Sequence, residues 1–170
     1  MSNGNEFVIV REYEAPKKLV YEMWTSPEHL NHWWGPAGMK VEVVRMEFKP
    51  GGTFLYSIVL PDGGMVYGKF VYREIVPNEK IVFVDSFCDA DGNPQRHPMD
   101  PGWPIEILNT IMISEQNGKT LLTLKGIALN ASEAEVKTFV KGFGSLKQGW
   151  SGTLAQLENY LSSVKSPTKS

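Results

Sequence analysis

Cysteine is almost absent from this 170-residue chain, which has only Cys88. No internal disulfide can form, and such usage fits a reducing compartment. Long apolar runs are missing as well. The longest are four residues, Phe7 to Val10 and Ile81 to Val84, whereas a membrane-spanning helix needs about 20. Neither sign of charge dominates, since 17 Lys and Arg stand against 19 Asp and Glu for a net −2. That balance leaves no electrostatic footprint for nucleic acid. The opening residues, MSNGNEFVIVREYE, lack a basic region followed by a long apolar stretch, so no secretory signal is expected. Glycine-rich phosphate loops are missing too. Gly51-Gly52 and Gly63-Gly64 fall in turns between strands rather than before helices, which argues against dinucleotide or triphosphate binding. The expectation is a soluble cytoplasmic monomer or dimer with no nucleic-acid partner and no membrane span. The length fits one domain with a core that needs no staples.

Aromatic residues, by contrast, are concentrated. The stretch from Ala15 to Pro36, APKKLVYEMWTSPEHLNHWWGP, holds Trp24, Trp33 and Trp34 within 22 residues. Glu6 to Glu14 alternates as a strand. Pro16 suits a first helical turn, with Leu19, Val20, Met23 and Trp24 on one face. Ser26 reads as an N-cap with Pro27 at the first helical position of a second short helix, and Gly35-Pro36 ends it. Trp33 and Trp34 are adjacent and cannot share a helix face, so one packs inside while the other lies at a cavity rim or the surface.

From Met39 to Ala128 the pattern is strand and turn. Strands are expected over Val41 to Phe48, Thr53 to Leu60, Met65 to Val76, Lys80 to Phe87, Ile105 to Glu115 and Thr120 to Leu129. Pro-, Asn- and Gly-containing turns separate them, Asn117-Gly118 among them. Cys88 to Pro104 reads as a long loop. Ser132 and Glu135 form a capping box, followed by an apolar stripe from Val136 through Phe139, Phe143, Leu146 and Trp150 to Leu161, about seven turns long. Gly142, Gly144, Gly149 and Gly152 interrupt it, either leaving room for a ligand or letting backbone pack closely on the sheet. The fold class is α+β: one strand, two short helices, six strands and one long helix, with a curved antiparallel sheet of about seven strands covered by that helix.

Several pieces in this order resemble a known family. They are Ala15-Pro16, Trp24-Thr25-Ser26-Pro27-Glu28-His29-Leu30, Trp33-Trp34-Gly35-Pro36, Phe48-Lys49-Pro50-Gly51-Gly52 and Pro61-Asp62-Gly63. Gly68, the run from Glu74 to Val82, and Gly149-Trp150 with Leu154, Leu157 and Leu161 continue the likeness. The chain resembles the START-like (SRPBCC) superfamily, and within it the branch named for homologues of the activator of the ninety-kilodalton heat-shock chaperone ATPase. The resemblance covers residues 6–162, read as one domain with flexible tails at 1–5 and 163–170. It implies the helix-grip fold. The superfamily includes lipid carriers, polyketide cyclases and plant hormone-binding proteins, so a shared fold leaves function open.

The residues themselves point to a cavity between sheet and helix. Its candidate lining is Trp33, Trp34, Phe54, Tyr56, Tyr67 and Phe70 from the first half of the chain. Phe83, Asp85, Phe87, Phe139, Phe143 and Trp150 come from the second. Asp85 shares a strand face with Phe83 and Phe87. It is a polar anchor for a ligand if that face is concave and a solvated carboxylate if convex. His29 and His32 lie three apart, but no Cys, Asp or third His stands at metal spacing, so no metal is expected. Nor is a cofactor. Cys88 reads as a buried or strand-edge thiol and His97 as a surface loop residue. The leading expectation is binding of a small hydrophobic or amphipathic ligand, more in keeping with a carrier than an enzyme. The alternatives are a chaperone-interaction module, which needs an exposed apolar patch, and a cyclase- or hydrolase-type enzyme. The enzyme would need Asp85, Tyr56, Tyr67 or His97 inside the cavity with perturbed titration.

Overall fold

The computed structural model describes residues 5–35, 39–97 and 100–165. The chain runs β1 (Phe7–Tyr13), α1 (Lys17–Glu22), α2 (Pro27–Trp33), β2 (Lys40–Met46), β3 (Thr53–Val59) and β4 (Met65–Val76). It continues through β5 (Lys80–Cys88), β6 (Pro94–Gln95), β7 (Glu106–Gln116), β8 (Lys119–Leu129), α3 (Glu133–Lys141) and α4 (Phe143–Lys165). The strands form one antiparallel sheet in the order β1-β8-β7-β5-β4-β3-β2, with β6 added beside β5. This is the helix-grip architecture: a curved sheet closed over a C-terminal helix.

Local chemistry sets the element ends. Ser26 Oγ accepts from the His29 N–H, with Pro27 beginning α2, where a missing donor costs nothing. Ser132 and Glu135 close a reciprocal capping box on α3. Asn117 and Gly118 take φ of 56° and 79° between paired Gln116 and Lys119, the left-handed geometry that a two-residue hairpin requires. Register shifts between Val43 and Arg45 and between Tyr72 and Glu74 bend the sheet as bulges do. Pro36 of the expected helix stop lies outside the described residues, as do the tail segments 1–4 and 166–170.

The single long helix expected from the apolar stripe is instead two. The break falls at Gly142, the C-cap of α3, and the Trp103 ring packs against it. A Cβ at Gly142 would stand 2.7 Å from Trp103 Cζ3, so the glycine admits the ring and the helix turns there. Gly144, Gly149 and Gly152 face open space and clear no room against the sheet. The second helix also runs to Lys165, into the segment from Ser163 expected to be a flexible tail. The loop from Cys88 to Pro104 holds β6 and a bridge between His97 and Asp100. Arg96 donates to Glu135 of α3 as well as to the Trp103 carbonyl, 3.3 Å away, and so pins this segment to the first turn of α3.

The core is one cluster beneath α4, where Leu154, Leu157 and Leu161 are buried. The Tyr13 hydroxyl donates to the Leu154 carbonyl at 3.0 Å. Gln156 Nε2 donates to the carbonyls of Trp33 and Gly35, both at 2.9 Å, and Thr153 Oγ1 to that of Gly35 at 3.0 Å. These bonds hold the end of α2 against α4 and fix where its tryptophans point. Among the described residues no helix is long and apolar enough to cross a membrane.

Candidate functional site

Between the concave sheet face, α4 and the segment after β6 lies a cavity of about 510 Å³. Its sheet wall is Tyr56 of β3, Phe70 of β4, Asp85 and Phe87 of β5, and Ile107 and Asn109 of β7. Trp34 stands at one end and Leu146 and Trp150 on the helix side, while His97, Asp100 and Trp103 form the remaining flank. A depression of about 370 Å³ between α2 and β2 is smaller and more polar. The larger cavity is the candidate site.

Two glycines shape its floor. Tyr56 pairs across the strands with Gly68, and a Cβ there would stand 2.5 Å from the Tyr56 oxygen. The phenol therefore lies flat over the glycine. Asn109 pairs with Gly126, where a Cβ would come within 2.9 Å of Asn109 Oδ1. With that space free, the Asn109 amide lies over Gly126 and donates through Nδ2 to the Asp85 carboxylate.

Asp85 therefore faces inward, on the concave side, and is not a solvated surface carboxylate. Burial is the main influence on it and pushes its pKa from 3.8 up to about 7, while the Asn109 bond pulls the other way. The Tyr56 hydroxyl is raised out of the physiological range, first by burial and then by the Asp85 charge. Burial lowers His97, with Asp100 opposing. The Trp34 indole N–H is buried and has no hydrogen-bond partner among the described residues. It lies near enough to the Tyr56 oxygen to favour the phenolate, yet not in hydrogen-bonding geometry. A cavity with aromatic walls and a few converging polar groups is what a small-molecule site requires.

Replacing Gly126 with valine tests how the floor is built. The new side chain displaces the Asn109 amide, removes the bond that favours the ionised form, and moves the Asp85 midpoint further upward. Carboxyl carbon NMR titration reads that shift, and an unchanged midpoint counts against the role given to Gly126. Crowding at this position costs about 1–3 kcal/mol of stability.

Of the expected lining residues, Trp34, Tyr56, Phe70, Asp85, Phe87 and Trp150 meet at the cavity. Five others lie in the layer behind it. Trp33 is 1% exposed and donates its indole N–H to the Met23 carbonyl at 3.0 Å. Phe83 stacks behind Phe70 at 3.9 Å, and Phe54 backs Trp34 and Tyr56. Phe139 supports Trp103, and Phe143 packs between Phe139 and Phe7. Tyr67 is on the opposite face, where it borders a separate depression of about 250 Å³ beside Cys88. Alternation with Phe70 forces that placement.

Other expectations resolve differently. His97 lines the cavity rather than lying as a bystander in the loop, and its ring meets Phe87 and Trp103 at 4.8 and 6.2 Å. His29 and His32 both engage Tyr160. One hydrogen-bonds its hydroxyl at 2.8 Å and the other stacks on its ring at 4.8 Å, so the pair fastens α2 to α4. Sequence reading passed over Asn109, Trp103 and Asp100. Asn109 had a signal, because it shares the buried alternation of Ile107, Ile111 and Ile113, where a polar side chain needs a partner.

This fold and cavity define a helix-grip protein of the START-like type. The chain belongs to the family described as Activator of Hsp90 ATPase homolog 1-like protein, whose family model matches residues 14–162. Among solved structures, protein Ms6760 from Mycobacterium smegmatis is similar at 25% identity and a TM-score of 0.75, over 92% of this chain and 90% of that one. A protein from Arthrobacter aurescens is similar at 25% identity and a TM-score of 0.77, over 94% and 87%. Protein NE0264 from Nitrosomonas europaea shares the fold at 21% identity and a TM-score of 0.75, over 98% and 99%. None of the curated proteins searched matches.

Proposed function

We propose that this protein binds a small hydrophobic or amphipathic molecule in the cavity between sheet and α4. The observation that carries the reading is the cavity of about 510 Å³, with Trp34, Phe70, Phe87 and Trp150 on its walls and Asp85, Asn109 and Tyr56 grouped on its floor. Apolar walls supply most of the binding free energy, while the polar cluster orients the ligand. The neutral fluorophore N-phenyl-1-naphthylamine tests it. Its emission rises saturably on binding, and Leu146→Trp, which fills the cavity from α4, weakens the affinity about tenfold or more. Native mass spectrometry of freshly purified protein looks for a co-purified small molecule. No saturable signal together with no bound mass would sink the proposal.

A second reading is acid–base catalysis inside the same cavity. Asp85, pushed to about 7, suits a general base at neutral pH, and Tyr56 stands beside it as a donor. Deuterium exchange into an enolisable ketone such as 2-tetralone, lost in Asp85→Asn, supports this reading. Exchange at the solvent rate in both proteins removes it. A chaperone partner, suggested by the family description, would find apolar side chains on the outer face at Val8, Val10 and Leu121. A cytoplasmic setting fits the single buried thiol.

A further inference from the structure

Among the described residues the cavity wall carries two carboxylates, Asp85 and Asp100, and no lysine or arginine. Six Trp, Tyr and Phe rings line the same cavity: Trp34, Tyr56, Phe70, Phe87, Trp103 and Trp150. Asp85 is hydrogen-bonded to the Asn109 amide and enters no ion pair among the described residues. Asp100 accepts from the Gly102 N–H at 3.2 Å and acts on His97. The geometry points to an organic ammonium ion on an apolar or aromatic body as the ligand class of this cavity, with its charge against Asp85 and among the surrounding rings. The inference rests on the small-molecule reading above and narrows it.

Three physical arguments converge. A half-buried carboxylate with one amide neighbour is short of countercharge, and charges withdrawn from water are found paired. A bound ammonium ion supplies that charge from outside the protein. Aromatic faces attract cations within about 6 Å of the ring centre, most strongly when water is excluded. Finally, the wall discriminates by repulsion. An anionic ligand meets two carboxylates with no lysine or arginine to receive it, and like charges brought together in a desolvated site weaken binding. A neutral ligand leaves Asp85 either unpaired or obliged to hold a proton. The Asn109 amide over Gly126 fixes the direction of the carboxylate, so the ion meets a preset partner.

Protonation makes the inference testable. The titratable groups facing the cavity are Asp85 of β5, Tyr56 of β3, and His97 and Asp100 of the segment after β6. β4, β7 and α4 contribute neutral groups there: Phe70, Ile107, Asn109, Ser145, Leu146 and Trp150. Asp85 is the carboxylate whose charge changes close to neutrality in step with binding, and Asp85→Asn separates its titration from that of His97, which burial lowers.

The experiment compares 1-naphthylmethylamine, a cation at neutral pH, with the near-isosteric alcohol 1-naphthylmethanol, by titration calorimetry on the intact chain. At about pH 8 the amine binds at least tenfold more tightly than the alcohol. Its advantage shrinks toward about pH 5, as Asp85 gains its proton. Asp85→Asn abolishes the advantage and Asp85→Glu keeps part of it, while an unchanged far-ultraviolet circular dichroism spectrum shows that both variants are folded. Asp100→Asn retains it. Equal or tighter binding of the alcohol, or an amine advantage that survives in Asp85→Asn, overturns the ammonium assignment and leaves the cavity reading standing. Saturation by neither probe overturns both.

Discussion

Trp33→Ala lowers the free energy of unfolding by about 3–5 kcal/mol, the usual range for removing a fully buried aromatic side chain. Trp33 is 1% exposed, and its ring meets Trp24 edge-on at 4.6 Å. Its N–H also satisfies the Met23 carbonyl. The variant therefore loses packing, opens a void and strands an acceptor at once. The neighbouring substitution, Trp34→Ala, costs far less, roughly 1–2 kcal/mol. Trp34 is only partly buried, the space that it vacates merges with the existing cavity, and it takes away a buried donor that has no partner among the described residues. Binding reverses the order. Trp34→Ala weakens uptake of an apolar probe because a cavity wall is gone, whereas any folded Trp33→Ala protein retains it. Urea unfolding followed by far-ultraviolet circular dichroism, alongside probe titrations, separates the two. Equal stability losses would show that the adjacent indoles share one environment.

The second large effect concerns Asp85 and pH. Its pKa is raised on folding, from 3.8 to about 7. The native state therefore keeps a proton that the unfolded chain has already released. Stability from this group is complete below about 4, falls as pH rises through the interval to about 7, and is flat above it. The full change is roughly 4 kcal/mol. Asp85→Asn carries no titrating group at this position, and its amide can still face that of Asn109. The stability advantage of Asp85→Asn over the parent chain therefore grows by about that amount between pH 4 and pH 8. Denaturant titrations at several pH values give the difference directly, since the other groups titrate alike in both proteins. A difference that does not vary with pH would mean that the carboxylate is hydrated or paired with a cation. A bound ammonium ligand produces that same flattening, which links the stability measurement to the binding experiment.

Much of this was legible in the chain. The hairpin at Asn117-Gly118, the capping box at Ser132 and Glu135, and the Ser26-Pro27 helix start are local devices. Each is specified by residues within a few positions of one another and survives in the fold. Strand alternation likewise placed Asp85 on the face shared with Phe83 and Phe87. It could have placed Tyr67 opposite Phe70 by the same reasoning.

What alternation could not supply is depth. Phe54, Phe83 and Phe139 read as cavity residues because they share faces and stripes with true lining residues, yet each lies one layer back. Layer is set by how the bulges bend the sheet and by where α4 crosses it. The break at Gly142 likewise depends on Trp103, a residue about forty positions earlier in the chain that only the tertiary fold brings there.

By itself the sequence determined the order of the main strands and helices, the capped and turn-bounded termini, the sheet's two faces and the family, because periodicity, caps and turns act over short distances along the backbone. The tertiary structure alone decided that Trp33 is core and Trp34 is wall, that Asp85 points inward, and that Asn109 reaches it across Gly126. Those outcomes depend on contacts between strands and helices far apart in sequence. There, a few ångströms of free space over a glycine determine where a buried charge comes to rest.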